Sequence, residues 1–326
     1  MKAVIHTKFG PPEVLKVKEI DKPIPKDNEV LIKIGATTVT KYDCWVRNFS
    51  LPIRLIALLF GVNYGIRKPK NPILGTEFAG KIEAIGKDVR NFKVGDKVFG
   101  CSGMSIGSCA EYICMDDKSV LGLKPENMSI EEASSVLYGG LTALYFLRAA
   151  KIKENQKVLI FGASGGVGVY AEQLAKYFGC EVTGVCSTSK TELVKSLGAD
   201  HIIDYTKEDF TQNGEKYDII FDTVGKCQFS KSLKSLNDKG KLLLATHKLP
   251  MYFRILWQNL TRKKKVISPL LKESKKDLLY LRELIEKGQL KSVVDKIYQP
   301  EEIVDAHRYV ESGKKKGNVV IKFNDL

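Results

Sequence analysis

The sequence predicts an α/β protein in which a β-rich part is followed by a doubly wound parallel sheet. Its 326 residues exceed what one hydrophobic core usually organises, so two domains are expected. Up to about residue 123, short apolar runs alternate with Gly, Pro, Asp and Asn, a pattern that indicates strands joined by turns. From about Ser129, continuous apolar strands alternate with short helices, which is typical of a parallel sheet covered on both faces.

The strands of the β-rich part are separated by turn residues. The clearest turn signal is Gly95-Asp96, which lies directly before the strand that begins at Lys97. The strands predicted in this part are 30–34, 78–85, 97–99 and 110–114.

The second part begins with a helix over 131–137. Ser129 is expected to cap it, and Glu131 and Glu132 place negative charge in its first turn, as is typical of a helix start. Helices 170–178 and 191–197 are expected to end at Gly179 and Gly198. The other predicted elements are strands 157–161, 181–186, 201–204, 218–221, 241–245 and 318–323, and the helix 276–287.

The charge of the chain is strongly positive. Lys and Arg number 52 against 38 Asp and Glu, which gives a formal net charge of +14 and favours anionic ligands in general. Two basic runs, Arg262–Lys265 and Lys314–Lys316, are expected to be solvated loops or helix ends. Basic patches interleaved with aromatic residues are absent from the sequence, so no specific nucleic-acid partner is expected.

Several features favour a cytoplasmic protein. The start of the chain is too polar for a secretory signal, and no apolar segment reaches the roughly 20 residues of a membrane span. The seven cysteines are scattered without a C-x-x-C pair, which suits a reducing compartment and argues against a structural zinc lobe.

The motif that carries chemistry follows the strand 157–161 and opens a helix. It reads A-x-G-x-x-G on Ala163, Gly165 and Gly168, a dinucleotide fingerprint in the required strand–turn–helix context. Gly165 leaves room for a pyrophosphate, and Gly168 lets the helix pack on its strand. The predicted cofactor-binding residues of this turn are Ala163, Ser164, Gly165, Gly166, Val167 and Gly168.

The next strand favours NADP over NAD. An NAD site needs an acidic residue about 20 residues further on, but the segment from Val182 to Thr188 contains none. Ser187 and Lys190 follow instead, and their hydroxyl and ammonium groups are donors suited to a 2′-phosphate. Tyr205, after the third strand, offers a further hydroxyl.

These motifs, taken together, resemble a known family. The chain is similar to the zinc-independent quinone oxidoreductase branch of the medium-chain dehydrogenase/reductase superfamily, which is alcohol dehydrogenase-like. The resemblance extends over residues 1–326 in family order. The matching segments are 1–4, 75–80, 94–100, 110–112, 140–143, the fingerprint, 197–200, 204–205, 217–218 and 222–225.

The resemblance implies a two-domain oxidoreductase. It implies a GroES-like catalytic domain over 1–123, completed by 271–326, and a Rossmann NADP-binding domain over 124–270. The cofactor would lie in the cleft between them, and the protein would be a homodimer. The family-equivalent segments add Thr142, Val224 and Asn318 to the cofactor-binding residues.

The resemblance also predicts that no metal takes part. Where zinc-dependent relatives carry Cys, His, and Cys or Asp, this chain has Thr40, Thr76 and Gly139, none of which can ligate zinc in that role. Cys44 and Cys101 have no histidine at a ligand-like spacing. The expected chemistry is hydride transfer from NADPH to an acceptor that is already electrophilic, a quinone or an α,β-unsaturated carbonyl compound.

Such a reaction needs a donor for the developing oxyanion. Thr40 and Tyr42 are the catalytic candidates, with satisfied residues at a strand end as the alternative, and Asp43 is expected to be structural. Trp45, Tyr64 and Tyr138 are candidates for lining an apolar pocket, with simple packing as the alternative. The apolar segment Leu51–Phe60 fits a substrate lid and a packed helix equally well, and a membrane-surface segment less well.

Two alternative functions remain open at this point. One is a metal-free NADP-dependent alcohol or aldehyde reductase that polarises its carbonyl through side chains. The other is a noncatalytic protein that binds NADPH and polyanions, for which the positive charge is the only support.

Overall fold

The computed structural model describes residues 1–51, 54, 58, 64–103, 106–247 and 251–326, so most of the segment 51–60 lies outside the described residues. The chain divides into two compact units. Unit 1 comprises Met1–Tyr138, Glu273–Glu286 and Ser292–Leu326, and unit 2 comprises Gly139–Lys272 and Lys287–Lys291. Unit 1 continues past residue 123, the predicted end of the first domain, and the helix that begins at Ile130 packs on three of its strands.

Strands and helices are numbered in chain order over the described residues. The strands are β1 Lys2–His6, β2 Leu15–Glu19, β3 Glu29–Thr38, β4 Glu77–Ile85, β5 Lys97–Cys101, β6 Tyr112–Asp116, β7 Leu121–Leu123, β8 Lys157–Phe161, β9 Glu181–Cys186, β10 His201–Asp204, β11 Tyr217–Asp222, β12 Leu236–Leu244, β13 Lys265–Ile267, β14 Val294–Tyr298 and β15 Asn318–Lys322. The helices are α1 Lys41–Arg47, α2 Ile130–Ala133, α3 Leu137–Ala149, α4 Gly168–Tyr177, α5 Thr191–Ser196, α6 Phe229–Lys234, α7 Met251–Thr261, α8 Lys275–Glu286 and α9 Ile303–Glu311. Short 3-10 helices cover Pro12–Val14, Thr188–Lys190 and Pro300–Glu302.

Unit 1 is built on a seven-stranded sheet. Its order is β14-β15-β3-β4-β5-β7, with β6 paired to β3, and only the β14–β15 pair is parallel. The C-terminal strand β15 pairs with β3 at Val320 and Thr38, so the end of the chain completes the sheet. Gly95 has a φ of +96° in a turn before β5, which confirms the predicted tight turn. The core over this sheet contains Ile32, Ile34, Phe78, Ile82, Val98 and Leu121.

Unit 2 is built on a six-stranded parallel sheet in the order β10-β9-β8-β11-β12-β13. The order reverses between β8 and β11, and in open parallel sheets ligands bind beyond the carboxyl ends of the strands at such a point. Apolar residues fill the strands because the sheet is covered on both faces. The buried core includes Leu159, Val185, Ile220, Leu242 and Val266. The predicted α/β class with a doubly wound parallel sheet is confirmed.

The helix predicted over 131–137 is divided in the structure. Ser129 caps α2 as expected, since its side chain accepts from the Glu132 amide and Glu132 accepts from the Ser129 amide. The hydroxyls of Ser134 and Ser135 then donate to the carbonyls of Glu131 and Glu132, each at 2.9 Å. Such hydrogen bonds compete with the helical pattern, so α2 ends at Ala133 and α3 begins separately at Leu137.

Within the described part of the chain, no helix is both long enough and apolar enough to cross a membrane.

Candidate active site

The glycine-rich turn joins β8 to α4 in unit 2. Gly162 follows β8 with a φ of +85°, a conformation that glycine adopts without strain. A Cβ on Gly168 would lie 2.1 Å from the Gly162 carbonyl oxygen, so only glycine allows the helix to begin this close to its strand. Gly162 is not among the predicted cofactor-binding residues, although its place directly after β8 is the signal for such a turn.

Gly165 has more room than Gly168. A Cβ at Gly165 would meet only the Gly162 carbonyl oxygen, at 3.2 Å, so packing alone does not demand a glycine there. A pyrophosphate that approaches the backbone does demand one. No side chain caps the start of α4, and the Val169 and Tyr170 amides donate to the carbonyls of Gly165 and Val167, at 3.0 and 3.2 Å. The positive end of the helix dipole at this turn favours an anionic ligand. The turn therefore fits a dinucleotide.

The helix α3 packs directly on this turn. A Cβ on Gly139 would lie 2.1 Å from the Gly166 carbonyl oxygen, so the absence of a side chain allows the close approach. Thr142 lies one turn further along the same face of α3 and is buried. Ala163 and Ser164 are buried as well, and the Ala163 amide donates to Val185 in β9 at 3.1 Å.

The residues predicted for the 2′-phosphate lie together at the carboxyl ends of β9 and β10. The Tyr205 amide donates to the Cys186 carbonyl at 3.0 Å, which places Tyr205 beside the start of the Ser187–Lys190 segment. Ser187 and Lys190 are half-buried and Tyr205 is exposed. Asp204 ends β10 close by, but its carboxylate accepts hydrogen bonds from the hydroxyls of two threonines, and these bonds lower its pKa to about 2.

Val224 and Asn318 lie in different units. In unit 2, the Asp222 carboxylate accepts from the Val224 amide at 3.0 Å, and a Cβ on Gly162 would lie 2.7 Å from a methyl group of Val224. The structure thus brings Val224 to the glycine-rich turn. In unit 1, Asn318 begins β15, and its backbone amide and its side-chain Nδ2 both donate to the Val293 carbonyl, at 2.9 and 3.2 Å.

In unit 1, the start of α1 is held by a capping box. The Thr40 side chain accepts from the Asp43 amide, while the Asp43 carboxylate accepts from the Thr40 amide at 2.8 Å and from the Thr40 hydroxyl. The second carboxylate oxygen of Asp43 accepts from the Gly75 amide at 3.0 Å. The Thr40 hydroxyl thus has a structural partner for its proton, and Asp43 connects α1 to the segment before β4.

Tyr42, in the first turn of α1, lies in an aromatic cluster. Its hydroxyl forms a hydrogen bond with the hydroxyl of Tyr64, and burial raises the pKa of both phenols. Its ring centroid lies 6.2 Å from that of Trp45 and 6.3 Å from that of Tyr138. Phe49 fills the space between Trp45 and Tyr64, at 4.2 and 5.0 Å. The three residues predicted to line an apolar pocket are therefore gathered around Tyr42.

Glu77 is a buried carboxyl group at the start of β4. It accepts hydrogen bonds from the Thr38 hydroxyl at 2.7 Å and from the Tyr138 amide at 2.8 Å. Burial nevertheless raises the pKa of Glu77 to about 7. Next to it, the Thr76 hydroxyl is buried and has no hydrogen-bond partner among the described residues. Glu77 is not among the predicted site residues, although an acidic residue at the start of the buried part of strand Glu77–Ile85 is unusual and visible in the sequence.

The comparisons with known proteins agree with this architecture. Residues 26–125 match the alcohol dehydrogenase GroES-like domain, and residues 197–321 match the zinc-binding dehydrogenase family. The chain is 33% identical to the 2-methylene-furan-3-one reductase of Solanum lycopersicum, over 98% of this chain and 79% of that one. It is 30% identical, with the same coverage, to the chloroplastic NADPH-dependent alkenal/one oxidoreductase of Arabidopsis thaliana. The solved structure of the quinone oxidoreductase from Coxiella burnetii matches with a TM-score of 0.87 at 30% identity, over 99% of both chains.

The chain belongs to the quinone oxidoreductase branch of the medium-chain dehydrogenase/reductase superfamily. The predicted GroES-like and Rossmann-type folds are thereby confirmed.

Relatives in this superfamily differ in their use of zinc, so the arrangement of metal-ligating side chains in this chain bears on its chemistry. Among its described residues, no group of three or more His, Cys, Asp and Glu side chains is arranged to hold a metal ion. The fold brings His307 to Cys44, a contact that spacing in the sequence does not show, with Nδ1 3.4 Å from Sγ. The same nitrogen lies 2.7 Å from the buried Arg47 guanidinium, whose positive charge disfavours a cation there.

Proposed function

We propose that this quinone oxidoreductase homologue transfers a hydride from NADPH to a quinone or to the β-carbon of an α,β-unsaturated carbonyl compound, without a metal ion. The observation that carries the proposal is the hydrogen-bonded phenol pair of Tyr42 and Tyr64 inside the aromatic cluster of unit 1. Aromatic surroundings suit an apolar acceptor. A phenol whose pKa is raised stays protonated at neutral pH and is available as a hydrogen-bond donor.

Residues of unit 2 would hold the cofactor. The open space at Gly165 and the uncapped start of α4 suit the pyrophosphate, while Ser187, Lys190 and Tyr205 suit the 2′-phosphate. When bound, NADPH supplies the hydride from C4 of its nicotinamide ring. The Arabidopsis relative is named as NADPH-dependent, which agrees with this donor set.

Tyr42 is the catalytic residue of this proposal. Its hydroxyl would donate a hydrogen bond to the oxygen on which negative charge develops, and the Tyr64 hydroxyl would orient it. Thr40, the other candidate, is a weaker donor because its hydroxyl proton is already directed to the Asp43 carboxylate. Tyr42 is therefore the proposed hydrogen-bond donor to the substrate oxygen, and Thr40 and Asp43 are positioning residues for α1.

Independence from zinc rests on side-chain chemistry. Thr40 is committed to a helix cap, Thr76 offers only a hydroxyl, and Gly139 has no side chain. We expect dialysis of the purified protein against a strong chelator to leave both turnover and thermal midpoint unchanged. Stoichiometric zinc that leaves together with activity would contradict this part of the proposal.

The reaction itself is tested with C4-deuterated NADPH and a matched pair of substrates, a conjugated enal and the corresponding saturated aldehyde. We expect faster turnover of the enal, with deuterium at its β-carbon. Deuterium at the carbonyl carbon, or brisk oxidation of butanol with NADP and no enal turnover, would identify an alcohol or aldehyde reductase instead. Tight NADPH binding without turnover of any quinone, enal or aldehyde would identify a noncatalytic binding protein.

The remaining expectations concern the context of the enzyme. We propose a homodimer, from the family resemblance, and a cytoplasmic location. The location is supported by the seven cysteines, all of which are free thiols. Sedimentation equilibrium of the purified chain and fractionation of the source cells test the two statements.

A further inference from the structure

One carboxyl group is enclosed in the helix that follows the glycine-rich turn. The residues of α4 from Gly168 to Ala175 are all buried, and Glu172 is the only acidic residue among them. The exposed fraction of Glu172 is 0%. Burial disfavours the charged form of a carboxyl group unless hydrogen bonds or a counterion compensate for it.

The hydrogen bonds of Glu172 satisfy only one of its two carboxyl oxygens. Oε1 accepts from the Ala199 amide at 3.1 Å. Oε2 is buried and has no hydrogen-bond partner among the described residues. Burial therefore raises the pKa of Glu172 to about 8, although the bond from Ala199 acts in the opposite direction. The carboxyl group is protonated at neutral pH and ionises under mildly alkaline conditions.

The neighbouring elements offer Glu172 no counterion. The helix α4 packs on β8 and β9, and Ala199 belongs to the segment that follows α5. The lysine of α4, Lys176, is paired with Asp200 instead, with Nζ 2.8 Å from the carboxylate. The other ionisable groups on the surrounding elements of unit 2 are Lys157 on β8, Glu181 and Cys186 on β9, Glu192 and Lys195 on α5, Tyr145 and Arg148 on α3, Tyr170 and Tyr177 on α4, and Lys291. Within the described part of the chain, none of them forms an ion pair with Glu172.

Glu172 lies close to the turn that fits the pyrophosphate. Four residues separate it from Gly168, which corresponds to roughly 6 Å along the axis of α4. The positive end of the helix dipole acts on a phosphate bound at this turn and also on a carboxylate so near to it. An ionised Glu172 would therefore compete with the pyrophosphate for the same favourable field.

Glu172 is also connected to the segment predicted to hold the 2′-phosphate. Its bond to Ala199 ties α4 to the end of the stretch that begins at Ser187. Burial raises the pKa of Cys186, the residue directly before Ser187, to about 11, and the charge of Glu172 is among those that add to the effect. A charge on Glu172 thus acts at the carboxyl end of β9, where the predicted cofactor-binding residues begin.

We propose that Glu172 couples the affinity for NADPH to pH: the nucleotide binds tightly while this carboxyl group is neutral and more weakly once it is ionised. The pyrophosphate is negatively charged, so an anionic Glu172 would repel it and would offset the dipole of α4. Inside a protein, repulsion between unit charges about 10 Å apart corresponds to roughly tenfold in affinity. The inference rests on the proposed cofactor site in unit 2 and is independent of the substrate.

The direction of the effect follows from linkage. A ligand that binds better to the protonated form of a group raises the pKa of that group and takes up protons on binding. The affinity is therefore full at neutral pH and falls as the pH rises through the pKa of Glu172, about 8. At still lower pH, Glu172 stays protonated and contributes no pH dependence.

The experiment measures the dissociation constants of NADPH and NADH at pH 7, 8, 9 and 9.5 by the fluorescence of the bound nucleotide. We expect the Kd of both nucleotides to rise roughly tenfold between the lowest and the highest pH. NADH is included because it has the pyrophosphate but lacks the 2′-phosphate. Groups that act only at the 2′-phosphate therefore do not affect its Kd.

Two variants remove the ionisable group. Glu172→Gln cannot ionise but keeps an oxygen that can accept from the Ala199 amide. Its Kd should match that of the unmodified protein at pH 7 and be roughly tenfold lower at pH 9.5. Glu172→Met, with an apolar side chain of similar length, should show the same constant Kd and serves if glutamine disturbs the fold. The matched control is Glu192→Gln, which removes an exposed carboxyl group on α5 and should retain the pH dependence of the unmodified protein.

Proton uptake provides a readout that a purely structural role of Glu172 would not change. The measurement is calorimetric titration with NADH at pH 8.5, in two buffers of different ionisation enthalpy. Binding should take up about half a proton more in the unmodified protein than in Glu172→Gln.

Three results would overturn the proposal. The first is the same pH dependence of Kd in the unmodified protein and in both Glu172 variants. The second is equal proton uptake by the unmodified protein and Glu172→Gln. The third is an NADPH affinity that Gly165→Ala leaves unchanged, which would refute the cofactor site itself, and the inference with it. A normal loss of affinity in Gly165→Ala, together with a Kd that does not depend on pH, would refute only the role of Glu172.

Discussion

Replacing Glu77 with glutamine removes a carboxyl group whose protonation the fold controls. Burial raises the pKa of Glu77 from 4.5 to about 7. Between these two pH values the folded state keeps a proton that the unfolded state releases, so the contribution of Glu77 to stability falls as the pH rises through this window. One pKa unit corresponds to about 1.4 kcal/mol, so above pH 7 the buried carboxyl group of Glu77 lowers the free energy of unfolding by about 3 kcal/mol.

The side-chain amide of the Glu77→Gln variant cannot ionise, so the variant should not show this loss. We expect the free energy of unfolding of Glu77→Gln, relative to the unmodified protein, to rise by about 2–3 kcal/mol between pH 5 and pH 8. The assay is urea unfolding at pH 5, 6, 7 and 8 with linear extrapolation, followed by the fluorescence of Trp45, which lies in the same unit.

The matched control is Glu83→Gln. Glu83 lies in the same strand, but it is partly exposed and its ion pair with Lys22 lowers its pKa. Its replacement should therefore not reproduce the rise in relative stability with pH. The difference in the free energy of unfolding between Glu77→Gln and the unmodified protein should depend on pH. If it is the same at all four pH values, buried Glu77 does not hold its proton near neutrality.

Three further predictions concern the site. Lys190→Ala should weaken NADPH binding about tenfold and leave NADH binding unchanged in titrations, because a half-exposed charge-assisted hydrogen bond contributes about 1.5 kcal/mol. Equal losses of affinity for both nucleotides would contradict the role of Lys190 at the 2′-phosphate. Tyr42→Phe should lower enal turnover about 100-fold. Tyr64→Phe, which keeps the Tyr42 hydroxyl, should lower it less than tenfold. Equal effects of the two substitutions on kcat would contradict the assignment of Tyr42 as the hydrogen-bond donor. Gly168→Ala should destabilise the protein by about 1–3 kcal/mol. Gly165→Ala should leave the thermal midpoint unchanged and weaken NADPH binding about tenfold. A larger loss of thermal stability for Gly165→Ala than for Gly168→Ala, measured by calorimetry, would contradict the roles assigned to the two glycines.

Much of the parallel sheet could be predicted from the sequence because its local signals agree. The bounds of β8 and β9 match the prediction, since apolar residues predominate in each and glycines mark their limits: Gly162 directly follows β8, and Gly179 precedes β9. The break between α2 and α3 could not be predicted from apolar spacing. It depends on where the hydroxyls of Ser134 and Ser135 point, and serine is equally compatible with an unbroken helix.

The site was less predictable than the fold because the residues that meet in it are far apart in the sequence. The phenol pair joins Tyr42 to Tyr64, and the pair of Cys44 and His307 joins residues 263 positions apart. The spacing of apolar and polar residues along the chain does not show which distant residues meet. The raised pKa of Glu77 has the same origin, since it follows from burial that only the completed sheet creates.

The capping box and the packing of Gly139 bear on how such enzymes change their chemistry in evolution. Thr40 and Gly139 occupy positions that correspond, by resemblance, to zinc ligands, but each now has a structural task. A Thr40→Cys substitution would remove the hydroxyl that Asp43 binds, and any side chain at position 139 would begin 2.1 Å from the Gly166 carbonyl oxygen. Zinc ligands at these two positions would therefore require compensating changes around α1 and the glycine-rich turn before they gained any benefit.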